Sequence, residues 1–124
     1  MKKLVAVEGL TLFPVETGVI LAGVSVISAP SANVKVDGSG VYAGDVDVKA
    51  ATATFNGYVA ENVDFTLHPS ASFTSADGEK VLLEGDTSDT VTATGKNPSL
   101  TPQEITFPVT LKVLNAGQAN VTAE

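Results

Sequence analysis

Apolar residues in this chain recur at every second position over long stretches, the period of a pleated strand whose side chains alternate between two faces. The most regular run is Ile105, Phe107, Val109, Leu111 and Val113, which predicts one long strand. Pro108 lies on its other face and lacks an amide donor, so the strand should sit at a sheet edge or carry a bulge there. Val63, Phe65 and Leu67 form a second face, and Val46 and Val48 alternate with Asp45, Asp47 and Lys49. Thr90, Thr92 and Thr94 alternate with Val91 and Ala93, predicting a strand with one hydroxyl-bearing face. The most hydrophobic segment, Gly18 to Ile27, is rich in β-branched residues and contains Gly23, so it predicts a buried strand in preference to a helix. Residues 1–12 predict one strand or a broken pair, Phe13-Pro14 an extended turn, residues 96–103 a surface loop, and residues 120–124 a short last strand. No segment shows helical periodicity. The expected fold is all-β: one compact domain of about nine to eleven short antiparallel strands in a sandwich, barrel or β-prism or cone.

Between these strands a turn pattern occurs twice. Asp37-Gly38 lies between short alternating runs and is followed by Gly44-Asp45; about forty residues on, Asp77-Gly78 is followed by Gly85-Asp86. Both copies read Asp-Gly-x-x-Val and lead to an Ala-Thr pair, Ala53-Thr54 and Ala93-Thr94. Asp-Gly between β-formers marks a hairpin, because glycine takes positive φ without a Cβ clash and Asp tolerates it. Asn56-Gly57 marks another. The chain therefore predicts an internal twofold hairpin repeat, with units at about 31–57 and 71–95, N-terminal strands in 1–27 and C-terminal strands in 104–124.

Composition narrows the function classes. A length of 124 residues and 44% apolar content suit one domain, while aromatics at 6% and no Trp imply a thin core of small and β-branched side chains. Seven lysines against fourteen carboxylates, with no arginine, give a net charge of −7, which repels nucleic acid. With no cysteine, disulfides and thiolate sites are excluded. Lys2-Lys3 and the apolar residues after them mimic a secretory leader, but Glu8, Pro14 and Glu16 interrupt the run, so synthesis without a cleaved signal is expected. The 18–27 stretch is too short to span a bilayer, so no stable membrane insertion is expected.

Candidate chemistry is sparse. His68, the single histidine, is the one candidate metal ligand, and alone it does not complete a zinc sphere within a protomer. Asp37, Asp45, Asp47, Asp77, Asp86 and Asp89 lack the spacing of a calcium loop and are explained by turns and a solvated face. Gly-x-Ser-x-Gly and phosphate loops are absent, and His68 has no recognisable catalytic partner in sequence. The expectation is a protein that is not an enzyme and needs no cofactor.

The phrases from Ala29 to Gly38 and from Ala76 to Asp86 resemble the repeated "Ser-Pro-x-Val-x-Val-x-Gly-Lys-Pro … Gly-Asp" phrases of PAAR-like proteins, small β-proteins that cap the trimeric spike of phage tails and contractile injection machines. The resemblance covers residues 28–95 and extends to the Asn115 to Val121 strand. It implies a structural spike-tip or baseplate component, found in a virion or assembled particle, whose partner is a trimeric spike protein. The Pro-Ala-Ala-Arg tetrapeptide and the His and Cys ligands of that family's zinc tip are absent here, so a metal-free variant is implied. A capsid or tail decoration protein, trimeric by self-association, is the alternative expectation, and a surface- or carbohydrate-binding β module is a third.

Overall fold

The computed structural model describes residues 2–123. Its strands in chain order are β1 (Lys3–Leu4), β2 (Thr11–Pro14), β3 (Ile20–Val26), β4 (Lys35–Val36), β5 (Ser39–Gly40), β6 (Val46–Phe55), β7 (Tyr58–Leu67), β8 (Ser75–Ala76), β9 (Glu79–Lys80), β10 (Val91–Lys96), β11 (Glu104–Val109), β12 (Leu111–Asn115) and β13 (Thr122–Ala123). These outnumber the strands expected, because the repeated hairpins contribute pieces only two residues long. No helix occurs among the described residues.

One antiparallel sheet runs β11-β10-β7-β6-β3, and β12 pairs with β2 in a second. The predicted strand from Ile105 to Val113 is in fact two, because Thr110 leaves the ladder. Its amide and hydroxyl donate to the Glu16 carboxylate at 2.6 and 2.8 Å. The first half stays on β10 and the second crosses to β2. Its apolar face stays buried throughout, with Phe107, Val109, Leu111 and Val113 all in the core. Pro108 lies on β11, an edge strand, as its missing donor predicts.

The 18–27 segment forms a strand, but the expectation of burial is wrong. β3 is the opposite edge of the sheet, bonded to β6 alone, and leaves Ile20 67% and Ile27 62% exposed. Val19 is buried, and Leu21 and Val26 only half so. A core this thin is filled by one face of each strand, so hydrophobicity on both faces of β3 exceeds what the interior accepts.

A single row of residues sets which face of the sheet is inward. Gly23, Ala51 and Asn62 are the positions skipped by both ladders, lying level between the pairs Ala22–Thr52 and Val24–Ala50 on one side and Ala50–Val63 and Thr52–Glu61 on the other. Gly23 and Asn62 both have left-handed φ, +63° and +54°. Across this row the buried positions change parity, from Val46, Val48 and Ala50 to Ala53 on β6, and from Tyr58 and Ala60 to Val63, Phe65 and Leu67 on β7. A left-handed residue inside a strand turns the following side chain to the other face, which is why the Tyr58 and Val63 runs are out of step in the sequence.

A Cβ at position 23 would lie 2.7 Å from the Ala51 Cβ, and a β-branched residue there would also be held at a φ it disfavours. Gly23→Val is expected to lower stability by about 1–3 kcal/mol or more from backbone strain alone. Chemical denaturation should show a lower midpoint, partly recovered by adding Ala51→Gly, which removes the clash and leaves the strain.

Candidate functional site

The predicted Asp-Gly turns are hairpin tips. Asp37 and Gly38 have φ of +52° and +83°, and Asp77 and Gly78 have +53° and +80°, the paired left-handed conformation of a two-residue turn matched to strand twist. The first joins β4 to β5 and the second joins β8 to β9. A third unit, which the sequence reading did not identify, is assembled from the two ends of the chain: β13 pairs with β1, Lys3 opposite Ala123 and Leu4 opposite Thr122. The twofold repeat is thus two parts of a threefold arrangement.

Each hairpin continues into a three-residue segment, 5–7, 41–43 and 81–83, and these bond to one another in a cycle. The Ala6 amide donates to the Leu82 carbonyl at 2.8 Å, Leu82 to Tyr42 at 2.9 Å, and Tyr42 to Ala6 at 3.1 Å. Bridges Val5–Leu83, Val7–Val41 and Ala43–Val81 repeat the cycle one step out. The amides of Glu8, Gly44 and Glu84, donating to the carbonyls of Gly40, Lys80 and Leu4, repeat it again. Side chains obey the same pseudo-threefold rule. Val5, Val41 and Val81, with Val7 and Leu83, fill a small cluster on the hairpin side together with Ala76 and Ala123. The middle residues Ala6, Tyr42 and Leu82 point the other way into the main core. Burial pushes the Tyr42 phenol above its ordinary pKa, and Glu8 adds to the shift.

Contacts between neighbouring units also go round. Asn120 donates to the Asp37 carboxylate at 2.8 Å, and Ser31 to Asp77 at 2.6 Å with Asn33 at 3.4 Å. These aspartates therefore do more than allow a turn, since each accepts a side chain of the adjacent unit. Ser31 Oγ accepts the Asn33 and Val34 amides, and Gln118 Oε1 accepts those of Asn120 and Val121, the same local loop made by two different side chains.

The Gly-Asp steps diverge. Asp86 is 4% exposed, and its carboxylate accepts the Leu83 amide at 2.8 Å, the Ser70 amide at 3.1 Å and the Ser70 hydroxyl. It staples the end of the second unit to its beginning. Asp45, its counterpart, is exposed and contacts His68 instead. The imidazole bridges two carboxylates, Nδ1 to Asp45 at 3.0 Å and Nε2 to Asp89 at 2.9 Å, tying the end of β7 to the entries of β6 and β10. Both ring nitrogens meet acceptors, so the geometry fits the doubly protonated ring. The hydrogen bond to Asp89, then that to Asp45, raises the His68 pKa above its ordinary value.

Beside this strap lies an open groove of about 810 Å³ lined by Gly44, Asp45, His68, Pro69 and the turn residues Gly78, Glu79 and Lys80. Among the described residues no group of three or more His, Cys, Asp or Glu side chains is placed to hold a metal ion. Asp37, Asp77 and Asp86 serve turns and staples, and Asp47 accepts Thr66 at 3.1 Å. His68 pairs with both Asp45 and Asp89 in this arrangement. Gly44 and Gly85 have φ of +71° and +94°, as tight steps out of the hairpin units require.

Because the folded His68 pKa is raised, the strap contributes fully below the ordinary histidine value of about 6.5 and is lost as pH rises through the raised value. Thermal denaturation of wild type and His68→Gln should therefore differ most near pH 6 and converge in mild alkali. The difference should stay within about 1 kcal/mol, the scale of solvent-exposed pairs. Asp86→Ala strands the Leu83 and Ser70 amides and should cost about 1–3 kcal/mol, read by urea denaturation.

Comparison with family models, with curated proteins and with solved structures finds no match to this chain.

Proposed function

We propose that this chain is a non-enzymatic structural subunit of a phage tail or contractile injection apparatus, a PAAR-like tip protein that caps a trimeric spike. The observation that carries this reading is the pseudo-threefold built from residues 5–7, 41–43 and 81–83. A single chain that sits on a threefold axis must offer similar contacts in three directions, and an internal threefold supplies them without self-association. The resemblance of the two Asp-Gly units to PAAR-like phrases supports the same reading, and the third unit brings the chain to the threefold that such a cap needs. A decoration protein reaches threefold symmetry by assembling three copies, for which an internal threefold is unnecessary. Little in the site suggests catalysis: His68 is held between two carboxylates, and the groove beside it is open.

Immunogold labelling of purified particles with an antibody to this chain tests the proposal. Label confined to the spike end is expected, with native mass spectrometry of the detached spike giving one copy per spike trimer. Label spread over the capsid or tail surface, or three copies per trimer, would replace the tip role with decoration.

A further inference from the structure

The two edges of the five-stranded sheet are treated differently. On β11 the outward side chains are Glu104, Thr106 and Pro108, and charge together with proline is a common protection of an open edge. On β3 neither a charge nor a proline occurs, and the only irregularity is the left-handed Gly23. Its register with β6 runs from Ile20 to Val26 with one interruption at Gly23, and no described residue bonds to its other side. Residues 17–34 contain no charged side chain, although the chain as a whole carries −7. Exposed large apolar side chains gather here as well: Ile20, Val24 and Ile27 on or beside β3, and Phe13 and Val15 just before it. Elsewhere the outward face of this sheet carries Asp47, Glu61, Asp64, Thr92 and Thr94. The strand with the unpaired backbone thus also carries exposed apolar side chains, Ile20 and Val24, with Ile27 directly after it.

We propose that the β3 edge pairs with the β3 edge of a second copy of this chain, antiparallel about a twofold axis near Gly23. A second copy fits because the pairing is isologous: each neutral strand meets the same neutral strand, so residues 17–34 of neither molecule bring a charge to the seam. The result is one continuous sheet of about ten strands, within the ordinary range. A seven-residue strand pair with a few flanking side chains falls below the roughly 1,200–2,000 Å² of a stable interface, so the dimer is weak and depends on concentration. The inference goes beyond the cap reading and does not rest on it, since β3 lies outside the three hairpin units.

Light scattering coupled to size exclusion, over a hundredfold range of protein concentration, is the test. A mass rising from one chain towards two is expected. Ser25→Lys and Ile20→Lys, both at exposed positions, should hold the protein at one chain with an unchanged circular dichroism spectrum. Amide hydrogen exchange should show β3 amides of the wild type becoming more protected as concentration rises, a readout independent of the variants. A wild type that stays monomeric over the whole range, or a dimer that persists in both lysine variants without β3 protection, overturns the proposal. Labelling of particles reads the cap role separately, so either idea fails without the other.

Discussion

Three short segments whose middle residues hydrogen-bond to one another in a cycle hold this molecule together. Residues 5–7, 41–43 and 81–83 are too brief to form strands in a conventional sheet, and each is bounded by a hairpin on one side and a turn on the other. The amides and carbonyls of their middle residues, Ala6, Tyr42 and Leu82, are satisfied by the next segment in the cycle, while flanking residues bond within the hairpin units, Val5 to Val121, Val41 to Val34 and Val81 to Thr74. Since a buried backbone group without a partner costs about as much as a lost hydrogen bond, none of the three can be placed until all are. Everything else follows from this closure: the hairpins project to one side, the long strands leave from the other, and Ala6, Tyr42 and Leu82 close the main core at its end.

Much of the architecture was legible because it depends on local chemistry. Asp-Gly turns, alternating valines and the Pro108 edge each announce themselves within a few residues. The third unit was not legible, for a topological reason. Its halves stand at opposite ends of the chain, so a scan along the sequence never sees them together. Signals existed: Ala119-Asn120-Val121 repeats Ala32-Asn33-Val34, and Leu4-Val5-Ala6-Val7 follows the pattern of Lys80-Val81-Leu82-Leu83. They become a repeat only if the chain is read as a circle.

Burial was misjudged for a different reason. Hydrophobicity predicts a buried strand at Gly18 to Ile27, yet the thin core accepts at most one face of an edge strand, and β3 carries apolar residues on both. The candidate site was half visible. His68 and Asp45 were apparent as residue types, but their meeting with Asp89 depends on where β7 ends relative to the entries of β6 and β10. The same motif position was also put to two uses, since Asp86 is buried as a staple while Asp45 faces solvent. Sequence equivalence did not carry over to an equivalent environment.

The pairing of β1 with β13 has a consequence for how the protein comes to be folded. Its contacts join residues from nearly opposite ends of the chain, the highest sequence separation a polypeptide of this length allows, and such contacts form late because the intervening chain must first lose its freedom. On the ribosome, the first two hairpins, the β6–β7 ladder and the ring of three segments can assemble once residue 83 is available, but the third hairpin unit stays open until residues 116–123 emerge. A chain cut short before residue 116 would then lose more than a tail: the Val5 and Val7 amides, which donate to the Val121 and Ala116 carbonyls, would be left without partners.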